Sequence, residues 1–127
     1  MSYVDGFVSA VPTASKRAFI EHARKANGVF IELGALRIRE CWGDEVPTGE
    51  RTDFQRAVQA GEDETVVFSF VEWPDKATRE AAWAKMGELS KTDARVSPEA
   101  NPMPFDGARM IYGGFAPVVM LGEGGEA

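Results

Sequence analysis

Asp5, Arg39 and Ser69 each lie inside a run that is otherwise apolar or alternating, where a polar side chain needs a reason. A carboxylate beside a guanidinium in a partly enclosed space orients a small polar ligand through charge-assisted hydrogen bonds. A serine hydroxyl adds a group that donates or accepts. Tyr3, Trp73 and Phe115 stand in the same kinds of run and would supply the apolar walls of a ligand pocket. Gly113 falls between Ile111 and Phe115 on one strand face and is expected level with Asp5, where a missing side chain leaves room for a ligand. Tyr3, Asp5, Arg39, Ser69, Trp73, Gly113 and Phe115 therefore form the candidate ligand site. An ion pair at a dimer interface would give the same pattern with no ligand.

Other reactive residues carry less. His22 is the single histidine, three residues after Phe19 and one before Ala23, so it is expected at the surface or the edge of a packed helical stripe. Cys41 as a nucleophile needs a neighbouring base and a lowered pKa, and Arg39 two residues away assists only the second. Structural packing is its expected role. Glu40, Glu72 and the clusters Asp44–Glu45 and Glu62–Asp63–Glu64 lack the ordered spacing of a calcium loop and read as solvated acids in turns, so no metal is expected. Gly113 and Gly114 lie within a strand and open no helix, so no phosphate-cradling loop and no cofactor is expected.

The bulk composition narrows the classes. A chain of 127 residues with 44% hydrophobic and 27% charged residues is large enough for one independent core. One cysteine excludes an intrachain disulfide and fits a reducing cytoplasm. A net charge of −6 with no basic stripe disfavours nucleic acid as a partner. No run has the length of a membrane span, and the N-terminus has no basic leader, so no membrane partner is expected. Residues 1–121 are expected to form a single domain, and 122–127 a disordered, acidic, Gly-rich tail.

These residues need elements to hold them. YVDGFVSAV (3–11) alternates as a strand. From Ser15, Phe19, Ala23, Ala26, Phe30 and Leu33 share one helical face, and Gly34 follows as the C-terminal cap. Gly28 within this helix is read as allowing close packing on a sheet. ALRIRECW (35–42) alternates strictly, and ETVVFSFVEW (64–73) reads as a central strand covered on both faces. A second helix, capped by Asp75, runs through Ala82, Met86 and Leu89, with Asp75–Arg79 and Lys76–Glu80 at ion-pair spacing. FDGARMIYGGFAPVVM (105–120) enters a last strand through an Asp-Gly turn. The connection 43–63 is long for a compact domain; it holds either a short helix over Asp53–Ala60, with Thr52 and Gln55 as a capping box, or an extension of the third strand.

The order strand, helix, strand, strand, helix, strand predicts a ferredoxin-like βαββαβ fold of the α+β class, with a four-stranded antiparallel sheet in the order 4-1-3-2. YVDGF (3–7) over IYGGF (111–115) aligns Gly6 with Gly114 and Phe7 with Phe115, as expected of a unit used twice. Even positions of the four strands are mainly apolar and are assigned to the helices, Gly6 and Gly114 permitting close approach. Odd positions mix aromatics with Asp5, Arg37 and Arg39 and are assigned to an open face that meets a second copy of the chain.

YVDGF, GALRIRECWGDEVPTG, TDFQRAV, EDETVVFSFVEWP and MPFDGARMIYGGF together resemble the YbaA-like bacterial family, a domain of unknown function. The resemblance covers nearly the whole chain apart from its last few residues. It implies a dimeric α+β barrel, two ferredoxin-like protomers facing each other with their open sheets, and no assigned reaction. Similar folds serve cofactor-independent monooxygenases, lactone isomerases, haem enzymes and ligand sensors, so the fold alone selects no activity. The expected function is a cytosolic homodimer that binds a small molecule between its sheets. One alternative is a monooxygenase- or isomerase-like enzyme in which Asp5 or Tyr3 moves a proton and Arg39 holds an enolate or carboxylate. The other is a partner-binding dimer without a pocket.

Overall fold

The computed structural model describes residues 2–122. The tail expected from residue 122 onward falls, Gly122 apart, outside the described residues. The elements are β1 (Tyr3–Pro12), α1 (Lys16–Glu32), β2 (Arg37–Trp42), α2 (Phe54–Ala57), β3 (Glu64–Trp73), α3 (Lys76–Leu89) and β4 (Ile111–Phe115). The sheet runs β2-β3-β1-β4 with every neighbouring pair antiparallel, the ferredoxin-like order. Both helices that flank the sheet pack on one face of it. Phe30 of α1 and Ala82 of α3 close over Val71 and Trp73, while Phe19 and Ala23 of α1 cover Val11 and Val67.

Local chemistry sets the ends of the elements. Asp75 accepts the Thr78 N–H at 2.7 Å as the N-cap of α3. Gly34 terminates α1 with φ of +112°, a left-handed conformation, and a Cβ there would lie 2.8 Å from Thr78 Cγ2. Lys76 pairs with Glu80 at 3.9 Å as spaced. Arg79 does not turn to Asp75; it reaches Asp5 on β1 instead.

The face assignment is the main correction. Ten paired positions join β1 to β3, from Tyr3↔Trp73 to Pro12↔Glu64, and their odd members, Asp5, Ser9, Val11, Val67, Ser69, Val71 and Trp73, are the buried ones beneath the helices. β2 and β4 join in the opposite phase. Ile38 lies opposite Val71 and Glu40 opposite Ser69, so even positions of β2 face the helices and Arg39 faces away. Gly6 pairs with Gly113 and Asp5 with Gly114, so Gly114 is on the helix face while Gly6, Gly113 and Phe115 are on the open one. The two glycines aligned by the repeat therefore lie on opposite faces. A shift of one residue exchanges the faces of a whole strand, and period-2 alternation within each strand contains no information about it.

Smaller departures follow from packing. β4 is confined to Ile111–Phe115, because Asp106 caps a 3-10 turn over Gly107–Arg109 by accepting the Ala108 N–H at 3.0 Å. In the long connection α2 is capped by Asp53 rather than Thr52. Its following Val58 is fully buried against Val8, Ala10 and Val66, so this connection covers one end of the open face. Phe54 adds an edge-on contact to Phe68. Gly28 makes no close approach, since a Cβ there would meet nothing within 4 Å. Cys41 is exposed on the open face of the edge strand β2 and is not a packed residue.

Candidate functional site

The seven residues of the sequence-derived site fall into three places. Asp5 is 2% exposed and accepts four N–H donors: Trp73 Nε1 at 2.9 Å, Trp83 Nε1 at 3.0 Å, and Arg79 through Nε at 3.2 Å and Nη2 at 2.8 Å. The bond to Asp5 holds the Arg79 guanidinium above its ordinary range. Tyr3 lies beneath that guanidinium, 5.4 Å from ring centroid to Cζ, and over Gly114, where a Cβ would stand 2.5 Å from the Tyr3 hydroxyl. Asp5, Trp73, Trp83, Arg79 and Tyr3 thus form a saturated polar knot that ties α3 to the sheet. Its carboxylate is committed to those donors.

Arg39 lies on the other side of the sheet, opposite Phe70, and does not meet Asp5. Phe115 and Gly113 share that open face. The Phe115 ring covers the Gly6–Gly113 pair at van der Waals distance, 3.5 Å from a Cβ on Gly6 and 3.4 Å from one on Gly113. An aromatic ring laid over paired glycines restores packing that the missing side chains forfeit. A depression of about 210 Å³ remains there, between Val8, Phe68, Ile111 and Phe115. Phe68 is 47% and Phe115 59% exposed, so the part of the open face around Phe115 is apolar and uncovered in the protomer, while Arg37, Arg39 and Glu72 lie toward β2.

Ser69 occupies the third place, with residues that the sequence reading set aside. It donates to Glu40 Oε2 across the β2–β3 pair, a short bond between directly opposite residues. Asn27 of α1 donates to Glu40 Oε1 at 3.0 Å, so both carboxylate oxygens are oriented. These groups line a pocket of about 170 Å³ between the helix face of the sheet and α1. Ser9, Phe7 and Val71 form its floor, Phe19, His22, Ala23 and Phe30 one wall, and Trp83 of α3 another. The connection after α3 supplies Met103, Phe105 and Met110. A wider, open groove shares Phe19, Ala23, Asn27 and Glu40 with it and carries the cations Lys16 and Arg24.

The covering connection is tied down by side chains. Arg95 binds Glu32 of α1 and Asp93 and is held above its ordinary range, chiefly by its hydrogen bond to Asp93. Asn101 Nδ2 donates to the carbonyls of Arg95 at 2.7 Å and His22 at 3.3 Å, and its Oδ1 lies 3.0 Å from His22 Nδ1. His22 stands half-buried at the helix edge, one of the two positions expected of it, and lines the pocket with a partner, Asn101, that the sequence did not reveal. Its spacing from Phe19 and Ala23 signalled the helix edge, but Asn101 is far away in sequence and in a segment without periodicity.

The sequence matches the family described as "Protein of unknown function (DUF1428)" over residues 2–107. The chain belongs to the DUF1428 family. The protein YbaA of Escherichia coli K12, whose printed name marks it uncharacterised, is 53% identical over 119 residues, covering 94% of this chain and 98% of that protein. YbaA of Shigella flexneri matches with the same identity and coverage. Among solved structures, a dimeric ferredoxin-like protein from an uncultured marine organism covers 90% of this chain and 91% of its own, with a TM-score of 0.52 and 12% identity. At that identity the likeness speaks for the fold alone, and the fold it indicates is the one the DUF1428 chain adopts here.

Proposed function

We propose that this protein is a homodimeric binder of a small, largely apolar molecule, held inside each protomer between the sheet and α1. The observation that carries the reading is the pocket of about 170 Å³ with aromatic walls and one oriented polar cluster, Ser69–Glu40–Asn27. Polar groups already fixed by their neighbours lose little freedom when a ligand arrives. Dimerisation is supported by the exposed Phe68, Ile111 and Phe115 on the open face, and by the dimeric state printed for the marine neighbour. A cytoplasmic address agrees with the exposed free thiol of Cys41, and no helix among the described residues is long and apolar enough to cross a membrane.

A second reading places the ligand between the two sheets, over the Gly6–Gly113 gap, and the depression beside Phe115 favours it. The enzyme alternative built on Asp5 and Arg39 has no geometric support, since the two lie on opposite faces and Asp5 is saturated. Native mass spectrometry of the freshly purified protein tests the proposal: a dimer retaining one small molecule per protomer supports it. Ala23→Trp, which fills the inner pocket, should expel that molecule, whereas Gly113→Leu should not. The reverse result favours the second reading, and a ligand-free monomer overturns both.

A further inference from the structure

Among the described residues, no lysine or arginine lines the pocket between the sheet and α1, although the chain carries 14 such residues. Its polar members are Ser9, His22, Asn27, Glu40 and Ser69. The Ser69 hydroxyl and an Asn27 N–H are already given to Glu40. Glu40 keeps spare lone pairs, Asn27 keeps its carbonyl oxygen, and the Ser9 hydroxyl acts either way.

The protonation pattern of His22 follows from its partner. Asn101 donates through Nδ2 to two main-chain carbonyls, which fixes the orientation of its amide and makes Oδ1 the atom facing the imidazole. Oδ1 only accepts, so His22 Nδ1 carries the hydrogen. Nε2 of the neutral ring is therefore the bare nitrogen, an acceptor left for a ligand. Asn101 is a positioning residue in this arrangement.

We propose that the pocket selects a single-ring molecule bearing a hydroxyl and no anionic group, with the phenol class as its chemistry, and that His22 Nε2 receives the O–H. The inference rests on the pocket reading proposed above and deepens it. A cavity of about 150 Å³ with apolar walls holds one benzene, so about 170 Å³ admits one ring with a small substituent. Carboxylate or phosphate ligands would meet the Glu40 charge, and the cations of the neighbouring groove, Lys16 and Arg24, lie outside the pocket's own lining.

The test uses the full chain with four probes, 4-methylphenol, toluene, benzoate and benzylamine, titrated by NMR. His22 is the single histidine, so its ring nitrogens are read without ambiguity in a long-range proton–nitrogen spectrum. The expected spectrum shows Nδ1 protonated and Nε2 bare, with the Nε2 signal moving when 4-methylphenol is added. Binding of 4-methylphenol should exceed that of toluene by about tenfold, the worth of one good hydrogen bond, with benzoate weaker than either and benzylamine weaker than 4-methylphenol. His22→Phe should bring 4-methylphenol down to toluene while leaving toluene bound. Asn101→Ala should scramble the tautomer and lower 4-methylphenol affinity alone. Toluene binding as tightly as 4-methylphenol, preference for benzoate or benzylamine, or a protonated Nε2 overturns this inference and leaves the pocket reading standing. Failure of all four probes to bind overturns both.

Discussion

The carboxylate of Asp5 accepts the indole N–H of Trp73 at 2.9 Å, and neither side chain reaches bulk water. Trp83 and Arg79 complete the arrangement from α3, so one charge on the second strand from the edge fixes the angle at which a helix meets the sheet. The role is structural, and its removal is the first measurable consequence.

Asp5→Asn turns one acceptor oxygen into a donor facing N–H groups and leaves the Arg79 charge without its partner. Because Arg79 retains some solvent contact, the cost should be about 2–3 kcal/mol, below that of a fully buried pair. Urea unfolding followed by tryptophan fluorescence measures it. An unchanged midpoint would show that the knot contributes nothing to folding.

The glycines of β4 should differ sharply. Gly114→Ala puts a Cβ 2.5 Å from the Tyr3 hydroxyl and must displace that ring from beneath Arg79, at about 1–2 kcal/mol. Gly6→Ala places its Cβ at ordinary contact distance, 3.5 Å from the Phe115 ring, and should be tolerated. Thermal unfolding of the two variants gives the ranking directly, and equal losses would contradict it.

Glu64 is drawn down to about 2, chiefly by the bidentate contact with Arg109 and then by the Gly61 N–H. Its folded value lies below its unfolded one. The stabilisation is therefore complete above about pH 4.5 and drains away as the pH falls toward 2. Glu64→Gln should be less stable than the natural chain at pH 7, and the gap should narrow between pH 4.5 and pH 2. A gap constant across that window would mean that the pair has no part in acid unfolding.

Phe68→Glu places a charge in the middle of the open apolar face. Sedimentation velocity should report the proposed dimer for the natural chain and a monomer for the variant, with the far-ultraviolet spectrum unchanged because the helices pack on the other face. A dimer that persists would assign the interface elsewhere.

Much of the chain was legible without its structure. Asp75 and Gly34 mark helix ends through hydrogen bonding and backbone conformation that depend on a few adjacent residues. Phe19, Ala23 and Phe30 mark the buried side of α1 because helical periodicity is local. The candidate site fared differently. Asp5 and Ser69 share the covered face, but Arg39, Gly113 and Phe115 lie on the other. Glu40 is exposed, as a solvated acid should be, but its bond to Ser69 was not legible, because their meeting depends on β2 entering the sheet in the opposite phase to β3.

By itself, then, the sequence determined the main strands and helices, their order, the ends marked by Asp75 and Gly34, and the strand arrangement, since each rests on short-range periodicity, capping chemistry or the few ways such an order can close. The tertiary structure alone decided which side of each strand the helices cover. Alternation is symmetric under a one-residue shift, and only the pairing register and the packing of α1 and α3 break that symmetry. It also decided where a pocket forms, because Asn101, Met103 and Phe105 come from an aperiodic segment that is placed by hydrogen bonds and burial across the fold.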